Sequence, residues 1–271
     1  MAPSGHTLFT EPMPPSRVET GNDRALVRVF ERDPDLLRGL SERDAEEARI
    51  RGLATATRLP KGKWRPRARP REELAGHLGL LVLDGLLSRN TIVAAAPCPE
   101  LLGAGDLLRP WQDEGSFASL PWESDWDVLQ PATLALLDAR FARIICPWPS
   151  IFAALLERMM ERQRWMSLQV AVGHLRRVDA RILILLWHLG DRWGTMRPEG
   201  VHLPMRLTHA YIARLIGAQR PSVTLALTEL TEQGRLRRER DGSWVLLRPV
   251  PELADLLAQT GGQRRRGEVP R

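Results

Sequence analysis

Four arginines crowd one short run, Arg235, Arg237, Arg238 and Arg240 in RLRRER. A guanidinium keeps its charge at physiological pH and offers a planar fork of N–H donors that matches phosphate oxygens. The chemistry on offer is anion binding, if the chain holds these groups together at a surface; a solvated strand edge is the plainer alternative. RLRRER and SWVLL flank Asp241-Gly242, a strong hairpin signal. The hairpin closes a longer unit, Leu207–Leu247. Thr208 is placed to cap a first helix, with Tyr211 three residues on, so no capping box forms. Leu207, Ile212, Leu215 and Ile216 share one face at helical spacing, and Ala213 is small enough to let a second helix cross closely. Gly217 suits a turn. A second helix begins around Gln219–Pro221, where a proline costs no hydrogen bond. Val223, Leu227 and Leu230 then face the first helix, and Gly234 ends the second. Two short helices, a tight turn and a basic hairpin make a winged helix-turn-helix, whose second helix docks in the DNA major groove. A helical hairpin and ribbon inside some core, or a winged helix that binds protein, are the other readings of the same pattern.

Composition supports an anionic partner, with a caution. The 271 residues carry a net charge of +6, and the pI is near 10.4. Apart from Lys61 and Lys63, every basic residue besides histidine is arginine, a bias that coding composition can produce. The length allows one or two domains. Cys98 and Cys146 have no CxxC partner, so neither a zinc cluster nor a four-cysteine iron–sulfur site can be built within one chain. Buried or incidental thiols are expected. No leader of basic and apolar residues opens the chain and no apolar run suffices to span a membrane, so the expectation is a cytoplasmic protein.

Along the chain, residues 1–23 read as a disordered arm, rich in Pro, Ser and Gly. Leu26–Leu40 and Glu42–Leu53 look like short helices. Residues 24–148 otherwise hold short apolar runs broken by Gly, Pro or Asp, among them LGLLVLDGLLSR and ELLGAGDLLRP, which predict an antiparallel β-roll. KGKWRPRARPRE within it is a basic loop or ribbon. Residues 149–177 form a long helix behind Pro147 and Pro149, with Ser150 as its cap. Phe152, Leu155, Met159, Met166 and Val170 recur in near-heptad steps, Leu156 and Met160 widen the stripe, and Arg162 and Gln169 interrupt it. The stripe is broad enough to serve one neighbour in the same chain and another across a dimer axis. Residues 178–250 are the winged unit, opened by a helix over Val178–Trp193 and a connector over Thr195–Met205. Residues 251–271 are a tail helix and a basic, disordered end. The fold class is α+β: an N-terminal antiparallel β-roll, a long dimerisation helix and a C-terminal winged helix-turn-helix.

That order resembles the CRP/FNR family of bacterial transcription regulators, whose sensor domain is a cupin-like, cyclic-nucleotide-binding roll. The resemblance is best over Val178–Leu247, in particular LT-x4-A-x3-G and the R-x-x-V of Arg220–Val223, and weaker over Leu78–Pro110. It implies a homodimer on a two-fold symmetric site in double-stranded DNA, and RNA polymerase is a further expected partner. Arg220 falls at the family's guanine-reading position, where a bidentate contact is worth about 1–3 kcal/mol. Pro221 stands where the family often has Glu, and Thr224 and Leu225 where it has a polar or basic reader. Thr224 is left a thymine methyl or a base edge to touch. Thr208, Gln219, Ser222 and the wing residues Arg235, Arg237, Arg238 and Arg240 are candidates for phosphate.

The sensor end departs from the family. After Gly105-Asp106 the chain reads Leu107-Leu108-Arg109-Pro110 instead of the Gly-Glu that holds a cyclic nucleotide's ribose, and Pro121–Trp126 is acidic and aromatic where a phosphate-binding Arg belongs. Control by cyclic AMP in the usual mode is not expected, no cofactor is expected, and the effector is unknown. Arg109 reads as a surface residue. His77, His174 and His188 lack paired ligand spacing, and Trp111, Trp122 and Trp126 read as core before they read as a ligand pocket. Two other functions fit less of the chain: a protein-interaction module that docks through the winged helix and long helix, and an enzyme built on the roll. The enzyme needs a ligand cluster or nucleophile–base pair that the sequence lacks.

Overall fold

A computed structural model describes residues 24–66, 71–93, 96–112 and 123–247. The expected arm at 1–23, the tail at 251–271 and the Pro121-Trp122 pair lie outside the described residues.

Alternating apolar and polar positions fold the front of the chain into an antiparallel roll. Its strands are β1 (Arg24–Arg28), β2 (Leu53–Leu59), β3 (Gly62–Trp64), β4 (Gly79–Val93), β5 (Ala96–Gly103), β6 (Leu107–Leu108) and β7 (Glu123–Leu137). They join in the order β1-β2-β7-β4-β5, with β3 on β7 and β6 on β4. The expected helix over Leu26–Leu40 is corrected. Arg24–Arg28 pairs with β2, and only α1 (Val29–Arg32) and a 3-10 turn at Pro34–Leu37 follow. Pro34 has no N–H to continue a helix. α2 (Glu42–Arg51) is capped by Ser41, whose hydroxyl accepts from the Asp44 amide at 3.1 Å. Trp64 and Trp126 meet edge to face inside the roll, with ring centroids 5.4 Å apart, and Val82, Leu87, Leu102 and Val128 pack around them. β4 runs on through Gly85, but its register against β7 shifts around Asp84 and Leu86. Gly85 has a φ of 88°, and a Cβ there would lie 2.3 Å from the Pro131 carbonyl, so the bulge needs glycine.

Asp138 caps α3 (Ala139–Ile145), accepting from the Phe141 amide at 2.9 Å. α4 (Pro149–Gly173) starts earlier than Ser150 can cap: Trp148 is the N-cap residue and Pro149 fills the first turn without needing a partner for its missing N–H. It also stops short of Arg177. α5 (Val178–Trp193) leads into β8 (Thr195–Arg197) and β9 (Gly200–Leu203), a hairpin where the sequence suggested only a connector. α6 (His209–Leu215), α7 (Arg220–Glu232), β10 (Leu236–Arg238) and β11 (Trp244–Leu247) complete the unit. Its sheet runs β10-β11-β9-β8, so the wing is the edge of a four-stranded sheet. One continuous core holds α5, α6, α7 and β11 together through Leu186, Ile212, Val223, Leu227 and Trp244. Among the described residues, no helix is long and apolar enough to cross a membrane. Cys98 and Cys146 are both free and exposed, so of the expected buried or incidental thiols the buried alternative is corrected.

Candidate nucleic-acid interface

The helix pair forms as its residues dictate. The Thr208 hydroxyl accepts from the Tyr211 amide at 3.2 Å and starts α6. Leu207, Ile212, Leu215 and Ile216 are buried. Gly217 turns the chain with a φ of 63°. Gln219 takes the N-cap position of α7 without using its side chain, and Pro221 sits in the first turn. Val223, Ala226, Leu227 and Leu230 then face inward, while Arg220, Ser222, Thr224 and Leu225 stand exposed on the other side. Among the described residues the Arg220 guanidinium has no carboxylate partner. Its charge is available on the first turn of α7.

Thr224 is more constrained than its sequence suggested. Its hydroxyl donates to the Arg220 carbonyl at 3.0 Å and lies 3.1 Å from His209 Nδ1. What remains for an outside group is chiefly its methyl. The sequence reading missed His209. This imidazole is 6.4 Å from the Trp244 ring, and its pKa is pressed below the usual value by burial and then by the nearby Arg238 and Arg220 charges. The same positive field reaches it from α7 and from the wing, so those two cations converge on one region. Its place after the Thr208 cap was the only signal available.

The wing arginines divide. Arg238 lies over the Trp244 ring, 5.5 Å from its centroid. Arg237 pairs with Glu239 at 2.9 Å and lies 3.6 Å from Glu199, so part of its charge is spent within the chain. Arg235 is half-buried at the base of the hairpin, where its carbonyl accepts from the Leu247 amide at 3.0 Å. Arg240 is exposed and has no acidic partner among the described residues. Gly242 closes the turn with a φ of 87°, and the Asp241 carboxylate accepts from the Ser243 amide at 2.9 Å and its hydroxyl at 2.6 Å.

α4 has two faces. Ile151 and Leu155 are buried inward. Arg162 joins them and grips Glu100 at 2.5 and 2.8 Å, and Gln169 donates to the Leu215 carbonyl at 2.9 Å. These two polar residues therefore belong to the inner face and do not interrupt the outer one. The outer row is Leu156, Met159, Met166 and Val170, between 42% and 67% exposed, and Gln163 is its one polar step.

The roll meets the winged unit at the Gly105-Asp106 turn. Asp106 is buried, accepts from the Gly103 amide at 2.8 Å and pairs with Arg192 of α5 at 2.8 Å. Burial pushes its pKa up, against the pull of Arg192 and that amide. Leu107 and Leu108 are buried, and Arg109 is half-buried rather than on the surface. Trp126 is core, as expected. Trp165 stacks on His188 with centroids 3.3 Å apart, and burial lowers the His188 pKa to about 4.

Residues 180–256 match the Crp-like helix-turn-helix domain. The chain is 31% identical over 96 residues to the regulatory protein CysR of Synechococcus elongatus, which is 34% of this chain and 46% of that protein, so it spans less than half of this relative's length. Among solved structures, a mutant of CooA from Carboxydothermus hydrogenoformans superposes with a TM-score of 0.57 at 17% identity, over 87% of this chain and 96% of that one. FixK2 from Bradyrhizobium japonicum gives 0.53 at 15% identity, over 76% of this chain and 96% of that one. A cyclic nucleotide-binding domain containing protein from Listeria monocytogenes gives 0.54 at 16% identity, over 71% and 88%. These likenesses carry the fold: a roll, a long helix and a winged unit in one order.

Proposed function

We propose that this chain, CRP/FNR-type in fold and carrying a Crp-like helix-turn-helix domain, is a dimeric, sequence-specific DNA-binding transcription regulator. The observation that carries the reading is the unpaired Arg220 on the exposed first turn of α7, converging with Arg238 of the wing on His209. Arg220 reads a guanine edge, and Thr224 supplies a methyl to a neighbouring thymine. Thr208, Gln219, Ser222, Arg235, Arg238 and Arg240 contact phosphate, with Arg237 a weaker contributor because of Glu239 and Glu199.

The outer row of α4 supports a homodimer, since four exposed apolar side chains at heptad-like steps are what a parallel partner helix would cover. Two such subunits place their α7 helices in successive major grooves about one helical turn apart. The protein works in the cytoplasm, with RNA polymerase as the machinery it addresses. It is not an enzyme, and it does not take cyclic AMP in the usual mode. After Gly105-Asp106 the chain continues Leu107-Leu108-Arg109-Pro110 without the family's Gly-Glu pair, and Trp64 and Trp126 occupy the roll interior.

Genomic DNA selection followed by footprinting tests the reading. A two-fold symmetric site with half-sites about one turn apart is expected. No enriched site, with a stable protein complex recovered instead, would establish the interaction-module reading.

A further inference from the structure

We infer that each chain takes up a proton when it engages DNA, and that the proton goes to His209, which meets a backbone phosphate only as the imidazolium. This proton uptake rests on the DNA-binding reading above, and it gives that reading one more contact and a pH dependence.

Three neighbouring groups fix where the hydrogens lie. The Arg220 carbonyl can only accept, and the Thr224 hydroxyl donates its single hydrogen to it at 3.0 Å. Towards His209 Nδ1, 3.1 Å away, the same hydroxyl has a lone pair to offer. The facing Nδ1 must therefore carry a hydrogen, since two lone pairs would repel. A neutral imidazole has one N–H, so Nε2 is left as a bare acceptor. The other tautomer would need the hydroxyl hydrogen for itself and would take it from the Arg220 carbonyl. Among the described residues, Nε2 has no hydrogen-bond partner. A phosphodiester oxygen is an acceptor only. Against the neutral ring it meets a lone pair; against the imidazolium it receives a charge-assisted hydrogen bond. Contact with the backbone and uptake of a proton are one event at this ring.

The surroundings set the direction of the pH dependence. His209 is half-buried. The charged groups that bear on it are Arg238 on β10 and Arg220 on α7, and no carboxylate among the described residues does. Thr224 on α7 and the Trp244 ring on β11, 6.4 Å away, are uncharged. In the free protein burial, then Arg238 and Arg220, hold the ring below the ordinary 6.5, so it is neutral at physiological pH. A phosphate that engages both arginines cancels their field and adds a negative charge beside the ring, and each change favours the imidazolium. A group whose pKa is higher in the complex strengthens the complex as pH falls. Affinity should be flat above the pKa in the complex, climb as pH drops towards that of the free ring, and level off beneath it.

The full-length protein is titrated with its selected site and with random DNA at constant salt, from about pH 8 down to about pH 6. Affinity for both DNAs should rise on acidification, by up to about ten-fold per pH unit for each chain bound. Calorimetry in two buffers of different ionisation enthalpy should read the matching uptake, up to about one proton per chain. His209→Gln and His209→Asn cannot titrate and should flatten the profile. Thr224→Val keeps a methyl group but removes the hydroxyl that holds the hydrogen on Nδ1, so the neutral ring can donate from Nε2 and the slope should weaken. His202, bonded to Ser243 at 3.0 Å, is the competing imidazole beside the wing, and His202→Gln should leave the slope intact. Thermal melts over the same pH range confirm that each variant folds. A wild-type affinity independent of pH, or a slope that survives in both His209 variants, overturns the proposal; so does a slope lost in His202→Gln instead. A wild-type slope in Thr224→Val overturns the tautomer lock. Proton uptake confined to the selected site would make His209 a base reader and overturns the phosphate contact. Failure to bind DNA at any pH defeats the DNA-binding reading, whereas binding without proton uptake defeats the role of His209 alone.

Discussion

Where the roll meets α4 and α5, Arg89, Arg158, Arg162 and Arg192 each meet a carboxylate, on Glu100, Asp33, Glu100 and Asp106. On the outer side of α7 and the wing, Arg220, Arg238 and Arg240 meet none among the described residues. One residue type does opposite work at the two ends. At the junction each guanidinium is partly buried and paired, and Arg158, Arg162 and Arg192 tie segments distant in sequence. At the recognition face the charge is left for something outside the chain. The number of arginines therefore says little about nucleic acid here, and the partner of each one says a great deal.

The comparison breaks first at the junction. Arg192→Ala would leave the buried Asp106 carboxylate with the Gly103 amide as its hydrogen-bond donor and the Arg162 and Arg158 charges nearby, and loss of one partner of a buried pair should cost about 3 kcal/mol at neutral pH. Burial already raises the Asp106 pKa. A raised folded-state pKa contributes stability at low pH that is lost as pH rises through it. The damage in the variant should therefore shrink on acidification, as Asp106 takes up a proton. Urea melts at neutral and mildly acidic pH measure this, and a pH-independent loss would show that Arg192 acts through packing alone. Glu100 runs the other way. Burial pushes its carboxyl up, but Arg162 and Arg89 outweigh that and hold it below the usual range. Its contribution is present above the ordinary Glu pKa and fades as pH falls, so Glu100→Gln should flatten the acid limb of the stability profile.

The next effect belongs to the recognition face. Arg220→Ala should leave the melting temperature unchanged and cut discrimination between the selected site and random DNA by about 1–3 kcal/mol. Competition shift assays read it directly. If site and random DNA lose affinity equally, Arg220 is a phosphate contact and not a base reader.

Much of this contrast was legible before the fold, and the reasons are local. Thr208, Gly217 and Gly234 announce caps and turns whose geometry depends on their own side chain or its absence, and the structure uses all three. The strand at Arg24–Arg28 was not legible, because its apolar residues fit a helix as well and only pairing with β2 decides the matter. The inward turn of Arg162 and Gln169 was hidden for a similar reason. Their partners, Glu100 and Leu215, lie far away in sequence, and a periodicity count treats any polar residue as a break in a stripe. The hydrogen bonds that occupy Thr224 and the acids that quiet Arg237 are tertiary facts of the same kind.

The smallest effect sharpens the contrast within the wing itself. Arg237 and Arg240 are three residues apart, both exposed, and indistinguishable by type. Arg237 has Glu239 at 2.9 Å and Glu199 at 3.6 Å; Arg240 has no such neighbour among the described residues. A surface pair of this sort is worth little to stability, about 1 kcal/mol or less, so neither substitution to alanine should shift the melt by much. Their effects on DNA should differ nonetheless. A phosphate contact that releases counterions lowers the salt slope of log K by about 0.9 when it is removed. Arg240→Ala should approach that value. Arg237→Ala should fall well short, since Glu239 and Glu199 already cancel part of the charge it could offer to phosphate. The double substitution Glu199→Gln with Glu239→Gln should then raise the contribution of Arg237 towards that of Arg240. Equal slopes for the two single variants would mean that the acidic pair opens on DNA, and that partner counting inside the free protein does not predict which arginines read the backbone.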